Sequence, residues 1–173
     1  VRPFFIYIRN ISYNFQIQQN RCPMSNAKIT SSLVSVQWLV ENFEAGNLVI
    51  LDASMKPVTP VGDASSQGGT ACIKGARRFD FDNDIREKNT DLPHMMPSAE
   101  FFTEEMQKLG INQDSAIVIY DYVGVYSSPR AWWMFRAMGH NQVAVLDGGL
   151  PAWKKAGLPC GEQAERESSQ RGD

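Results

Sequence analysis

The sequence predicts an α/β domain with a mostly parallel sheet and helices on both faces, and three observations carry that expectation. Short, β-prone apolar runs recur at Leu48–Leu51, Ile117–Tyr120 and Val143–Leu146, each too short for a helix and of the kind buried on both sides in a parallel sheet. Segments with helical spacing and capping residues lie between them. The stretch Ile117–Leu150 reads as strand, loop, helix, strand, and that spacing implies a right-handed parallel crossover.

Taken in order, Ser35 is placed to cap a helix through Trp38, Leu39, Val40 and Phe43, which Gly46 ends. Leu48–Leu51 is a buried strand that closes in Asp52. The stretch 53–70 is rich in Pro, Gly and Ser and is expected to be a long surface loop. A turn at Ile73–Ala76 leads into a short strand ending near Phe79, followed by the acid-rich Asp80–Asp84 and by Leu92–Pro97, whose two prolines disfavour helix. Ser98 caps the next helix, with Phe102, Met106 and Leu109 at i, i+4 and i+7 and Gly110 as its stop. After the strand Ile117–Tyr120, the loop 121–127 delivers the chain to a helix with Ser128 as expected N-cap, Pro129 at its first position and Gly139 beyond its end. Val143–Leu146 follows, then a short helix Pro151–Ala156 ended by Gly157.

The chain has 173 residues, 43% apolar and 21% charged, with a net charge of −2, as in a globular protein with one domain and a proper core. That charge gives no reason to expect nucleic acid or an anionic membrane as a partner, and no apolar run reaches the ~18 residues of a membrane span. Cys22, Cys72 and Cys160 are widely separated and form no CxxC or zinc spacing, so no metal or cofactor is expected and a reducing compartment fits. The first carboxylate is Glu41. A mitochondrial presequence has such a composition, but the arginines here follow no sustained helical period, and Met24-Ser25-Asn26-Ala27 reads as an ordinary start. Residues 1–27 are therefore expected to be a disordered or non-native extension. The domain is expected over 28–159, and the polar tail 160–173 reads as the start of a linker.

Three places are candidates for chemistry. Asp52 and Asp121 each end a hydrophobic strand, as a phosphoacceptor aspartate would, but neither is followed two residues later by the second acid such chemistry wants. Asp80-Phe81-Asp82 has that spacing, behind Arg77-Arg78-Phe79, which is unsuited to a buried strand. His94 follows the acids that include Asp82, and an imidazole with a carboxylate partner can act as acid, base or orienter; His140, at a helix end, is expected to be structural. None of the cysteines has the strand-end loop that would activate a thiolate. Asp121 occupies the place where several families would carry a Cys.

The blocks Val49–Ser54, Ile73–Ala76, Phe79–Asp82, His94–Pro97, Tyr120-Asp121, Ser128–Arg136 (SPRAWWMFR), Gly139-His140 and Leu146–Gly149 (LDGG) together resemble two-domain sulfurtransferases of the rhodanese and 3-mercaptopyruvate type, over Leu33 to Pro159. The resemblance implies a rhodanese-like fold and, more narrowly, the N-terminal half of such a protein. It implies a catalytic Cys confined to a C-terminal rhodanese domain, its position matched here by Asp121. It implies supporting roles at the domain interface for Asp82 and His94, with His94 favouring the mercaptopyruvate type. Small sulfur donors and thiol or cyanide acceptors would be the partners, and Arg130 and Arg136 would hold the interface or pack the helix. Cys72 and Lys74 depart from the family's pattern, which often has His before its turn and Pro within it. The expected location is the cytoplasm, with the mitochondrial matrix as the alternative. The rival reading is a non-enzymatic rhodanese-like module that binds or regulates; a Cys-dependent phosphatase is excluded by Asp121.

Overall fold

The computed structural model describes residues 26–57, 72–161 and 172–173; residues 1–25 of the predicted 1–27 extension, with Cys22, and most of the predicted loop and tail lie outside them. Five parallel strands, β1 (Leu33–Val34), β2 (Leu48–Asp52), β4 (Arg77–Arg78), β5 (Ala116–Tyr120) and β6 (Val143–Leu146), form one sheet in the order β1-β6-β5-β2-β4. Among the described residues four helices accompany it: α1 (Val36–Glu41), α2 (Ala99–Lys108), α3 (Ser128–Ala137) and α4 (Gly149–Lys155).

Alternation along the strands divides the core in two. Ile50, Val118, Tyr120, Ala144 and Leu146 pack with Leu39 and Val40 of α1 and Leu150 and Trp153 of α4. Val49, Leu51, Ile117, Ile119 and Val143 pack on the other face with Phe102 and Met106 of α2 and with Ala131, Met134 and Phe135 of α3. Successive strand side chains point to opposite faces, so a strand covered on both sides must be apolar throughout. β5 meets that demand at all five positions.

The predicted caps at Ser35 and Ser98 are present, each hydroxyl accepting an N–H three residues on, from Trp38 at 3.1 Å and Phe101 at 3.3 Å. Ser128 is not the cap of its helix. Ser127 holds the N-cap position without a capping bond, because the Ser128 hydroxyl is committed to Asp121. The last helix begins at Gly149 rather than Pro151. Three strands are not anticipated by the sequence: the edge strand β1, and β3 (Cys72–Ile73) with β7 (Cys160–Gly161), which form an antiparallel pair. The first two residues of the polar tail are thus paired to the domain. At its end, Gly172 N–H donates to the Gln107 carbonyl at 3.0 Å, and Gln113 N–H donates to Asp173 Oδ1 at 3.1 Å. No described helix is long and apolar enough to cross a membrane.

The strand order places the site. From β2 the chain moves outward to β4, whereas from β5 it moves the other way to β6. The neighbours β2 and β5 therefore flank a topological switch point, where crevices form at the carboxyl ends of parallel strands.

Candidate functional site

Asp121 sits at that switch point, 0% exposed. Its Oδ1 accepts the N–H groups of Val123 (3.0 Å) and Gly124 (2.8 Å), and its Oδ2 those of Tyr126 (2.8 Å), Ser127 (3.1 Å) and Ser128 (3.0 Å), with the Ser128 hydroxyl at 2.7 Å. Loop 121–128 is thus wound around one carboxylate. Burial pushes the Asp121 pKa up, but the Ser128 hydroxyl and N–H and the N–H groups of Tyr126 and Gly124 outweigh it and hold the group below the usual carboxylate range. A loop of converging N–H groups at a helix N-terminus is suited to an anion; here the anion is the domain's own side chain.

The end of β2 is tied to the same loop. Asp52 Oδ1 accepts Ser54 N–H at 2.9 Å and also the Ser54 hydroxyl; Ser54 Oγ in turn accepts Tyr122 N–H at 3.0 Å. From the other side Arg78 stands 3.7 Å from Asp52 and 3.4 Å from Asp80. Asp80 accepts the N–H groups of Asp82 (3.1 Å) and Asn83 (2.9 Å), fixing the turn that carries Asp82. Burial raises the Asp80 pKa, yet bonds from Asn83, the Arg78 charge and the Asp82 N–H leave it lowered. Neither Asp52 nor Asp121 is an open carboxylate with a second acid beside it, as a phosphoacceptor would be.

Asp82 and His94, separated by twelve positions of irregular chain, come together: His94 Nδ1 lies 3.2 Å from Asp82 Oδ1, with the side chains 35% and 42% exposed. Nδ1 is itself buried and makes no directed hydrogen bond. The contact is therefore a close approach of imidazole and carboxylate without a directed bond, and the exposure belongs to the rest of the imidazole. A pair this open to solvent adds little stability.

The two described cysteines do not join this edge as nucleophiles. Cys72 is buried in β3, its thiol 3.4 Å from the Gly161 carbonyl, and Cys160 is on β7. His140 Nε2 lies 2.9 Å from the Ser115 carbonyl and its ring packs on Phe135. It lines a cavity of about 450 Å³ with Phe102, Met106 and Met138, at the opposite end of the sheet. No cluster of described residues has the make-up of a metal site.

Residues 35–156 match the model of the rhodanese-like domain. The chain belongs to the rhodanese-like family. Its relatives include thiosulfate/3-mercaptopyruvate sulfurtransferase 2 of Arabidopsis thaliana, 39% identical over 142 residues that cover 82% of this chain and 40% of that protein. The human 3-mercaptopyruvate sulfurtransferase is also 39% identical over 142 residues, covering 79% and 48%. Among solved structures, SseA from Escherichia coli, a 3-mercaptopyruvate sulfotransferase, superposes with a TM-score of 0.70 at 34% identity, over 83% of this chain and 54% of that one. The chain therefore spans less than half the length of these two sulfurtransferases, and its homologues are enzymes of sulfur transfer. The family's fold agrees with the predicted α/β class.

The sequence singles out Asp82, His94 and Asp121, and names Arg130 only for the interface or the packing of its helix; it gives no role to Arg78 or Ser54, which brace the same strand ends. Arg78 and Ser54 had a signal in their position at strand ends; Arg130, whose Nη2 donates to the His94 carbonyl, had none beyond its charge.

Proposed function

We propose that this domain is the supporting half of a sulfurtransferase whose nucleophilic cysteine belongs to a second rhodanese domain of the same protein. In that reaction the partner's thiolate attacks the sulfur of 3-mercaptopyruvate or thiosulfate. A persulfide forms as the carbon–sulfur or sulfur–sulfur bond breaks, releasing the enolate of pyruvate, which takes up a proton, or sulfite. An acceptor thiolate or cyanide then attacks the outer sulfur, and the thiolate leaves. Asp82 and His94 contribute proton transfer or orientation from this side of the interface.

The observation that carries the reading is the state of loop 121–128: its donors are spent on the carboxylate of Asp121, so a thiolate is neither present nor accommodated there. The sulfur chemistry must then come from outside this loop, and the exposed Asp82–His94 pair is what the domain offers to it. Exposed apolar side chains support a partner at this edge. Leu92 and Met95 flank His94, and Val125 and Trp133 lie on the loop and helix that follow Asp121.

The test is sulfur transfer to cyanide by the purified chain, given mercaptopyruvate or thiosulfate, alone and with the remaining half of the protein. Activity only on mixing is expected. Activity of the chain alone would place the chemistry on Cys72 or another thiol, and inactivity in both would favour the binding-module alternative. In the complete protein His94→Ala is expected to lower mercaptopyruvate turnover by about 10²-fold, and unchanged kinetics would remove its role.

A further inference from the structure

His94 has a backbone φ of 58°, the one positive value among the described non-glycine residues. An L-residue takes this left-handed conformation against a steric cost and keeps it only where neighbouring groups over-determine it. Arg130 supplies such a group. From the first turn of α3, its Nη2 donates to the His94 carbonyl at 2.5 Å, while its guanidinium lies over the Trp133 ring at 4.7 Å. The Arg130 Nε is buried and makes no hydrogen bond, so the fork is aimed by the carbonyl and the indole together. Two further contacts complete the frame: the Phe81 ring is tilted against the imidazole at 5.9 Å, and Glu87 N–H donates to the Met95 carbonyl at 3.0 Å.

We infer that Arg130, braced by Trp133, is a positioning residue for His94: it holds the backbone in its left-handed conformation and so keeps the imidazole beside Asp82. The role of His94 itself rests on the sulfurtransferase reading; the positioning does not. A planar, permanently charged donor suits the task, because it grips a carbonyl in the plane while its face stacks on an aromatic ring. The Asp121 loop feeds directly into α3, so Arg130 also ties the placement of His94 to that loop.

The experiment has a structural arm and a kinetic arm. In the 173-residue chain, R130M is compared with wild type by the His94 Cα shift and its HN–Hα coupling, which report φ. R136M serves as the control, since it removes equal charge from the same helix at a residue bonded to Asn141. The expected result is loss of the left-handed signature in R130M alone, with the Asp121-loop amides unmoved; a His94 that keeps its signature overturns the inference. R130K, which retains the charge without the fork, is read in the same way and serves if R130M does not fold. In the complete protein R130M should lower kcat by roughly tenfold or more with little change in KM, and the double variant with H94A should be no slower than H94A alone. Additive losses, or a raised KM in the H94A background, would mean that Arg130 acts on substrate directly and would overturn the positioning role. If H94A alone leaves turnover intact, the functional reading fails while the structural arm still decides the inference.

Discussion

Asp121 is buried, ionised and fully hydrogen-bonded, and each property constrains the others. A carboxylate without partners at 0% exposure would be neutralised by protonation; with five N–H donors and a hydroxyl it is held charged, and the loop is held around it. Replacing it by Asn turns one acceptor oxygen into a donor that faces other donors, at a cost of about 3 kcal/mol at neutral pH by urea denaturation. The pH dependence follows from the lowered pKa. The unfolded group titrates near the ordinary ~3.9, so its contribution is complete above that value and is lost as pH falls towards the folded pKa. The gap between wild type and D121N should therefore narrow below about pH 4. A gap that widens on acidification would mean that Asp121 is protonated in the folded protein.

At the level of elements, α3 shows where sequence patterns end. Ser127-Ser128-Pro129 satisfies an N-cap signature from either serine, and the Ser-Pro pair favours Ser128. The structure moves the cap to Ser127 because a tertiary partner, the Asp121 carboxylate, competes for the Ser128 hydroxyl at 2.7 Å. Two alanine substitutions separate the roles. Ser128→Ala should cost about 1.5–3 kcal/mol through loss of a bond to a charged group. Ser127→Ala, whose hydroxyl is buried without a partner, should stay within about 0.5 kcal/mol. Comparable losses would show that Ser127 caps after all. The three longer strands of the sheet and the caps at Ser35 and Ser98 were legible because each rests on local chemistry or on an uninterrupted apolar run. The two-residue strands at Leu33–Val34 and Cys160–Gly161 have no period to detect and exist only through their partners, whereas the equally short Arg77–Arg78 is marked by the turn before it. The site divides in the same way: Asp121 announces itself at a strand end, whereas the approach of Arg130 to the His94 carbonyl spans 36 positions and leaves no local trace.

Across the whole molecule, the ends of neighbouring strands are locked to one another, and Gly149 is where that lock is tightest. The turn between β6 and α4 brings its backbone so close to loop 121–128 that a Cβ on Gly149, at φ 52°, would lie 2.4 Å from the Gly124 carbonyl oxygen and 2.5 Å from that of Asp121. The Leu150 N–H donates to the same Asp121 carbonyl at 3.0 Å, so the two turns share a backbone contact that no side chain can enter. Gly149→Ala must then displace the Asp121 loop as well as strain its own backbone, and a loss above about 2 kcal/mol is expected. Gly46 provides the comparison: nothing lies within 4 Å of its would-be Cβ, and its φ is not positive. Gly46→Ala should be neutral or stabilising by about 0.5 kcal/mol through the unfolded chain. Amide exchange distinguishes the two outcomes that matter. If the lock is real, Gly149→Ala speeds exchange at Tyr126, Ser127 and Ser128, whose N–H groups bind Asp121, although none belongs to the mutated turn. If exchange rises only around residues 148–150, the strand ends move independently, and the placement of α3 does not depend on the turn beside it.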